Sequence, residues 1–465
     1  MKNTLKNIVK GSTVALMILL IYLPIGCESF VEADDPKGQL PQATIFENEE
    51  TATAAVTTLY GRLRDDVLLT GNLYGLNALM GFYSDEFDYY ATPGQPVATF
   101  YNHNIIASND IIKTVWNGTY SVIYMSNSAL EGLEASENLS ATTKSQLKGE
   151  ALFVRSLCHF YLVELFGDVP YIQTTDYTAN QHVARMSSEQ VYINLVQDLI
   201  EAKTLLAEDY VSGERIRANT FAVSALLARV YLCMGHWEDA QNESSTVINA
   251  PMYQLEANLA NEFLKESTSA IFQLKPKNAG QNTQEALTFL FVTGPPPLMA
   301  LNYGLEEAFE TNDLRRQQWV VEISDGNQSW YAPYKYRQSA NTGTSQEYSI
   351  VLRLAEQYLI RAEARVNLGD LSGAREDINQ IRHRAGLSDT QAVSVAEILQ
   401  SVLQERRVEL FSEYGQRWFD LKRFGQAQEV LSPIKPNWRP TDVLLPVPET
   451  ELLMNPNLAP QNPGY

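Results

Sequence analysis

Two stretches of this chain combine aromatic rings with charged side chains and lack the repeat of a helix. They are residues 82–101, FYSDEFDYYATPGQPVATFY, and residues 330–337, WYAPYKYR. Aromatic faces stack on the flat C–H faces of sugar rings, and polar side chains hold the sugar hydroxyls. The stretches therefore predict a shallow surface that could bind a carbohydrate, with these candidate contacts: Trp330, Tyr331, Tyr334, Tyr83, Asp85, Tyr89 and Tyr90.

Trp330 is the first of these candidates, because tryptophan has the largest apolar face. The sequence SDGNQSW that leads to it is rich in turn residues, which predicts that Trp330 lies at a loop tip. Tyr83, Tyr89 and Tyr90 with Asp85 form the second group, which combines stacking faces with a hydrogen-bonding acid. The alternative is that these rings belong to the core, since the chain contains 24 tyrosines.

The same residues do not form a recognisable catalytic group. A glycosidase needs two carboxylates that flank the scissile bond, and Asp85 and Glu86 are adjacent in the sequence, so they cannot alone be that pair. The five histidines show no metal-binding spacing, and no GxSxG, P-loop or GxGxxG motif occurs. The sequence thus predicts no catalytic residue, no metal and no cofactor. A glycosidase with a distant second carboxylate stays open as an alternative.

Lys2, Lys6 and Lys10 precede a short apolar run that ends at Pro24. A membrane-spanning helix needs about 20 apolar residues, and the run from Val14 to Leu23 is only half as long. A basic segment followed by a short apolar segment is the layout of a signal peptide. LPIGC resembles the lipobox of bacterial lipoproteins, with Pro24 where leucine is usual. We therefore expect residues 1–26 to be removed and Cys27 to carry lipid, the alternative being an ordinary signal with a chance cysteine.

Acidic residues outnumber basic ones, with 55 Asp and Glu against 35 Lys and Arg and a formal net charge of −20. Such a charge argues against nucleic acid and anionic membrane surfaces as partners. The membrane is then reached only through the N-terminal lipid, and the acids that follow Cys27 predict a solvated tether over residues 27–43. Cys158 and Cys233 lie in apolar helical runs, which favours buried free thiols and leaves a bridge between them open.

Three long stretches show the apolar spacing of helices. The first, KSQLKGEALFVRSLCHFYLVELFGDVP, should end at Gly167. The second contains Gly235 followed five residues later by Ala240, and the third contains Gly369 followed at the same distance by Ala374. A helix, a glycine turn and a second helix with a small residue at that offset is the tetratricopeptide pattern. We therefore expect such helix pairs, embedded in a larger fold.

The remaining stretches lack a helical repeat. Residues 252–348 are predicted to form short strands and loops, with a loop at the prolines 295–297, and residues 82–104 are predicted to be irregular. The C-terminal sequence LLPVPETELLMNPNLAPQNPGY contains too many prolines for a helix. It predicts an extended strap over the surface.

Five segments, in order along the chain, resemble the SusD/RagB family of outer-membrane nutrient-binding lipoproteins. They are EALFVRSLCHFYLVELFGDVP, ALLARVYLCMGHWEDA, LRLAEQYLIRAEA, INQIRHRAGL, and the C-terminal pair QERRVELFSEYGQRWFDLKRFG and LLPVPETELLMNPNLAPQNPGY. The resemblance implies a mostly α fold, in which a tetratricopeptide-like helical scaffold carries an irregular, loop-rich ligand-binding face. It also implies a SusD-like domain over residues 44–465, with an N-terminal part at about 44–250 and a C-terminal part at about 251–465.

The resemblance implies a function as well. It points to a non-catalytic lipoprotein, exposed on the cell outer membrane, that captures a glycan and delivers it to a SusC-like TonB-dependent transporter. In this family loop aromatics hold the ligand, which agrees with the two aromatic stretches, and the acidic tether resembles the surface-export signal of Bacteroidetes lipoproteins. Capture of a peptide, as by RagB-like members, is the alternative within the family. A tetratricopeptide scaffold that binds another protein is an alternative outside it.

Arg406 is predicted to have a structural role. It lies on the apolar stripe of the helix in AEILQSVLQERRVELFSEYG, and a buried guanidinium needs a carboxylate partner. Glu409, Glu413 or an acid elsewhere in the chain could be that partner. In RWFDLKRFG, Arg417 and Asp420 are expected to pair with each other.

Overall fold

The computed structural model describes residues 42–92 and 94–465. Phe46–Tyr465 forms one compact unit, whereas the short helix Gln42–Ile45 belongs to a separate N-terminal unit. The predicted signal peptide, Cys27 and most of the predicted tether lie outside the described residues. None of the helices within the described ranges is both long and apolar enough to cross a bilayer.

Helices make up most of the regular structure, which confirms the predicted mostly α fold. The helices are α1 Gln42–Ile45, α2 Glu49–Asp65, α3 Leu76–Tyr83, α4 Ala98–Tyr101, α5 Asp110–Ala135, α6 Ala141–Phe166, α7 Tyr177–Asn180, α8 Ser188–Leu205, α9 Thr220–Met234, α10 Trp237–Ile248, α11 Gln284–Phe289, α12 Tyr303–Glu306, α13 Leu314–Trp319, α14 Leu354–Asn367, α15 Leu371–Arg384, α16 Val395–Glu409, α17 Gln416–Arg423, α18 Ala427–Leu431 and α19 Glu449–Met454. The strands are β1 Phe87–Tyr89, β2 Ala270–Leu274, β3 Met299–Leu301, β4 Val320–Ser324, β5 Ser329–Pro333 and β6 Ser349–Arg353.

The two predicted glycine turns join helix pairs. Gly235 lies between α9 and α10 with a φ of 71°, and Gly369 lies between α14 and α15 with a φ of 86°. This left-handed conformation favours glycine and ends the first helix of each pair. Ala240 and Ala374 are both fully buried, because each packs against the first helix of its own pair. The predicted tetratricopeptide-like pairs are therefore confirmed.

The two pairs are distant in sequence but contact each other in the scaffold. Ala228 and Leu232 of α9 share one buried cluster with Ile360 and Ala364 of α14. The scaffold is thus continuous in space although more than a hundred residues separate the pairs in the chain. The intervening residues 249–353 leave the scaffold and supply most of the strands.

The strands form three two-stranded antiparallel sheets, in which β1 pairs with β3, β2 with β6 and β4 with β5. The β4–β5 pair is a hairpin, and its turn is closed by Asp325, whose carboxylate accepts hydrogen bonds from the backbone N–H groups of Asn327 and Gln328. This turn is the one that SDGNQSW predicted. The strand β3 lies in contact with both β1 and β5. The two aromatic stretches therefore meet at β3.

Three segments predicted to be irregular contain helix. Phe82 and Tyr83 lie in α3, whose residues are all buried, so no polar face marked the helical period in the sequence. The helix α11 covers the start of LTFLFVTGPPP. In the C-terminal segment Pro448 and Pro456 flank α19 and do not interrupt it, so the short helix keeps its hydrogen bonds.

Arg406 is 2% exposed and binds a carboxylate elsewhere in the chain, as one of its predicted alternatives stated. Its Nε donates to Asp420 Oδ2 at 2.7 Å. The predicted pair of Arg417 with Asp420 is wrong. Asp420 is already held by Arg406 and Arg423, and Arg417 instead donates to Asp85 at 2.7 Å.

Cys158 and Cys233 are free thiols, so the option of a bridge between them is excluded. Cys158 is buried and Cys233 is half-buried. Burial raises the pKa of both thiols, which keeps them protonated and unreactive at neutral pH.

Candidate functional site

The end of strand β1 brings tyrosine rings to the surface. Tyr89 lies opposite Met299 of β3 and is half-buried, whereas Tyr90, the next residue, is 39% exposed. The backbone N–H of Tyr90 donates to the carbonyl oxygen of Leu298 at 2.8 Å. This bond continues the ladder of β1 and β3 by one residue, so the backbone from which the Tyr90 ring projects is fixed.

Tyr101 of α4 adds a second ring to this region. Its ring centroid lies 6.0 Å from that of Tyr89, and the two planes are inclined by 30°. The Nζ atom of Lys435 lies 3.7 Å from the Tyr101 centroid and donates to the carbonyl oxygen of Phe82 at 2.9 Å. Burial lowers the pKa of Lys435 to about 7, so the side chain is only partly charged at neutral pH, but its hydrogen bond to Phe82 fixes it against the ring in either protonation state. Lys435 therefore holds the Tyr101 ring in place.

Asp88 supplies an acid beside these rings. Its Oδ1 atom accepts a hydrogen bond from Nδ2 of Asn302 at 2.9 Å. Burial, and then the Asp88 carboxylate, raise the pKa of both Tyr90 and Tyr101. Both phenols therefore stay protonated at neutral pH and can donate hydrogen bonds. The rings of Tyr89, Tyr90 and Tyr101 with the Asp88 carboxylate are called the tyrosine surface below.

Trp330 does not lie at a loop tip, and this prediction is corrected. It lies within β5, opposite Ile323 of β4, and is 5% exposed. The backbone at Gly294 packs so closely on the indole that a Cβ atom there would lie 1.9 Å from the ring. Because the indole is covered, the geometry favours a supporting role under the Gly294 loop over direct ligand contact.

Tyr331 and Tyr334 are also covered by neighbouring side chains. The Tyr331 ring meets the edge of Tyr303, with centroids 5.8 Å apart, and the Arg316 guanidinium lies 4.7 Å from its centroid. Tyr334 is half-buried, with the Arg337 guanidinium 4.9 Å from its ring. Tyr303 itself is 56% exposed. Sequence reasoning missed Tyr303, because it stands alone in LNYG, outside the two aromatic stretches.

Tyr83 and Asp85 belong to the core, which corrects their prediction as surface contacts. The Tyr83 hydroxyl donates to the carbonyl oxygen of Asp442 at 2.8 Å. Asp85 accepts bonds of 2.7 and 2.9 Å from Arg417 and one of 2.9 Å from Arg407. Burial alone would raise the pKa of Asp85, but the two guanidinium groups outweigh it and lower that pKa. A buried carboxylate held in this way has no free face for a ligand.

Of the predicted contacts, the structure brings Tyr89 and Tyr90 together in an accessible surface. Tyr101 and Asp88 lie beside them and belong to the same 82–101 stretch. Asn302 directly follows β3, and no feature of the sequence predicted that it belongs to the site. Within the part of the chain that the structure describes, no group of three or more His, Cys, Asp or Glu side chains is arranged to hold a metal ion.

The helical scaffold with inserted strands has the same fold as several solved structures. A laminarin-binding SusD-like protein superposes with a TM-score of 0.77 at 23% identity, covering 90% of this chain and 100% of that one. A SusD superfamily protein from Bacteroides vulgatus gives a TM-score of 0.77 at 22% identity, with 90% and 100% covered. Surface glycan-binding protein A from Bacteroides thetaiotaomicron in complex with laminarihexaose gives 0.73 at 20% identity, with 89% and 99% covered. These likenesses establish the fold.

Sequence comparison identifies the family. The family described as starch-binding associating with outer membrane matches residues 77–232, and the SusD family matches residues 304–439. SusD-like protein P2 of Formosa agariphila is 27% identical over 98% of this chain and 100% of its own length. A SusD-like protein of Bacteroides ovatus is 24% identical over 83% of this chain and 77% of its own length. The chain belongs to the SusD/RagB family, which confirms the resemblance found in its sequence.

Proposed function

We propose that this protein is a lipid-anchored protein of the cell outer membrane that captures a glycan and passes it unchanged to a SusC-like TonB-dependent transporter. The observation that carries the proposal is the tyrosine surface, in which two rings and an exposed third lie beside a carboxylate. Relatives with the same fold are described as laminarin-binding or in complex with laminarihexaose. Stacking on sugar rings and hydrogen bonding to their hydroxyl groups is the chemistry that the tyrosine surface supports.

The tyrosine surface combines the two features that sugar binding needs. The exposed face of Tyr90 and the half-buried rings of Tyr89 and Tyr101 offer apolar area for C–H faces. The Asp88 carboxylate and the amide of Asn302 offer an acceptor and a donor for hydroxyl groups. A shallow surface of this kind holds one side of a sugar chain and leaves the rest free for transfer.

The acids beside the tyrosine surface support binding without hydrolysis. Hydrolysis requires two carboxylates that reach the scissile bond, one of them able to protonate the leaving oxygen. Asp85 is ion-paired with two arginines, and Glu86, at 3% exposure, accepts a hydrogen bond from the backbone N–H of Ser412 at 3.1 Å. Of Asp85, Glu86 and Asp88, only Asp88 lies beside the rings, and a single carboxylate cannot fill both roles.

The anchor in this proposal is lipid on Cys27, followed by the acidic tether. Two or more acyl chains give stable membrane attachment, where one chain would be marginal. The membrane contact is then confined to the lipid, and the acidic body of the protein is held away from anionic headgroups. The resemblance to surface lipoproteins favours the outer face of the membrane.

A panel of glycans and peptides tests the captured ligand. The protein without residues 1–27 retains the complete Phe46–Tyr465 unit and lacks the lipid attachment site, so it is suited to binding assays in solution. We expect retention of at least one oligosaccharide, with no new reducing ends after incubation. Retention of extended peptides alone would favour RagB-like peptide capture, and product formation that survives repurification would identify an enzyme.

Affinity capture from outer membranes tests the partner. The full-length, lipid-anchored protein, isolated with mild detergent, should bring down a TonB-dependent barrel. Recovery of only a non-barrel protein would favour the scaffold alternative and would contradict the transport role, whatever the result of the glycan panel.

A further inference from the structure

A cavity of about 420 Å³ opens between the C-terminal end of α2 and the first turns of α5. This volume is within the range of small-molecule sites. Its apolar lining comes from Val67, Pro96, Ile111 and Val115. Tyr74 also lines the cavity and is 47% exposed, so part of its ring is open to a ligand that enters from solvent.

Polar groups in the cavity have unused hydrogen-bonding capacity. The Oδ1 atom of Asn72 accepts from the backbone N–H of Tyr74 at 2.8 Å, which orients the amide. Across the described residues, no hydrogen bond or ion pair engages Asn72 Nδ2, the Tyr74 hydroxyl or the side chains of Asp110 and Thr114. A donor, a carboxylate and two hydroxyls beside apolar walls match a sugar ring, which has C–H faces and an equatorial rim of hydroxyls.

The charge of the cavity narrows the class of sugar. Three carboxylates and no basic side chain line it. Arg64 engages both oxygens of Asp65, at 2.7 and 2.6 Å, and Arg62 binds Asp66 at 2.5 Å, so Asp110 is the lining carboxylate without a cation. An unpaired carboxylate in a protein of net charge −20 repels uronic acid and sulfated units.

One chain segment borders both the cavity and the tyrosine surface. Pro96 lines the cavity. Thr92, in the same loop, accepts a hydrogen bond from the Tyr89 hydroxyl through its carbonyl oxygen at 3.0 Å. The carbonyl oxygen of Pro96 also accepts a hydrogen bond of 2.7 Å from the hydroxyl of Thr99 in α4, the helix that carries Tyr101, so one wall of the cavity adjoins the tyrosine surface.

We propose that the cavity lined by Tyr74, Asn72 and Asp110 is a second sugar-binding subsite, and that it takes one unit of a neutral glycan whose neighbouring units lie on the tyrosine surface. The proposal rests on the proposed glycan-binding function and adds to it a second contact and a ligand class. Two contacts along one chain make the affinity depend on chain length, because the second contact is then intramolecular.

Calorimetric titration with a neutral disaccharide and a neutral hexasaccharide tests the second contact. Laminarihexaose and the disaccharide of the same series are the first probes, followed by any neutral oligosaccharide that the glycan panel retains. Tyr74→Ala should weaken hexasaccharide binding about tenfold, the loss expected of a stacking residue. It should leave disaccharide binding and the melting temperature unchanged, because the ring is half exposed. Tyr124→Ala is the matched control, since Tyr124 lies on α5 and is 50% exposed but does not line the cavity.

The outcomes separate this inference from the proposed function. If the wild-type protein binds no glycan of any charge, both fail. If it binds only charged glycans, this inference fails and the proposed function stands. If it binds the hexasaccharide and Tyr74→Ala binds it equally well, the second subsite is wrong and the proposed function stands. If an oligogalacturonate of the same length binds the wild type as tightly as the neutral probe, the assignment to neutral sugars is wrong.

Discussion

Replacing Trp330 with alanine tests whether this residue supports the fold from within, as the structure indicates, or contacts the ligand, as its sequence context predicted. The indole is 5% exposed and lies between β4 and the backbone at Gly294. Trp330→Ala removes a buried ring and leaves a cavity that the surrounding strands cannot close. Such substitutions cost about 3–5 kcal/mol.

The expected change in melting temperature follows from the size of the unit. Unfolding entropy of about 2.1 cal/mol/K per residue gives about 0.9 kcal/mol/K for a unit of some 400 residues, so the loss corresponds to about 3–6 °C. Glycan affinity should fall as well, because the loop at Gly294 loses its support. Trp330→Phe keeps much of the buried ring and should lose less in both measurements.

Differential scanning calorimetry beside a binding titration distinguishes the two roles. Tyr303→Ala is a useful control, since this ring is 56% exposed and its removal should leave the melting temperature unchanged. A Trp330→Ala variant that melts like the parent and yet no longer binds the glycan would refute the structural argument. Trp330 would then be an accessible contact.

Three further predictions concern folding, pH and anchoring. Arg406→Leu leaves the buried Asp420 carboxylate with Arg423 as its one remaining cation and should cost about 3 kcal/mol, the lower end of the range for breaking a buried pair, measured by denaturant titration. A variant of parental stability would contradict this. Burial raises the pKa of Glu86 to about 8, so the folded protein keeps a proton that the unfolded chain releases near pH 4.5. The free energy of unfolding should therefore fall as the pH rises from 5 to 8, by at most about 1.4 kcal/mol per pH unit. Glu86→Gln should make this decrease smaller in melts measured across the pH range. An unchanged decrease would exclude Glu86 as its source. Cys27→Ala should abolish labelling by a fatty-acid analogue and release the protein from the membrane fraction, and unchanged labelling would disprove the lipid anchor.

The helical scaffold could be predicted from the sequence because its determinants are local. Gly235 and Ala240 are five residues apart in the sequence, and the same holds for Gly369 and Ala374. Each glycine ends a helix through its own backbone conformation, and each alanine packs within its own pair. That the two pairs contact each other across residues 249–353 could be expected only from the family.

The tyrosine surface could be predicted in part. The mixture of aromatic and acidic residues predicted Tyr89 and Tyr90 as ligand contacts. Tyr90 does lie at the surface, because it directly follows the short strand β1. The prediction that Asp85 contacts a ligand was wrong because its partners, Arg407 and Arg417, lie more than 300 residues further along the chain. Contacts of that range leave no local signal.

The prediction that Trp330 lies at an exposed loop tip was wrong for a related reason. Its turn-rich lead-in was interpreted correctly, because the turn depends on the side chain of Asp325 and neighbouring backbone. The burial of the indole depends instead on Gly294, which reaches it from a different loop. Local turn chemistry therefore located the hairpin but could not indicate which face of β5 is covered.

A crystal structure of the protein with the tightest oligosaccharide from the glycan panel tests the central claim most directly. We expect a pyranose ring stacked on Tyr90 or Tyr101, with a hydroxyl group hydrogen-bonded to Asp88. A sugar bound elsewhere on the chain, with the tyrosine surface empty at saturating ligand, would contradict the account.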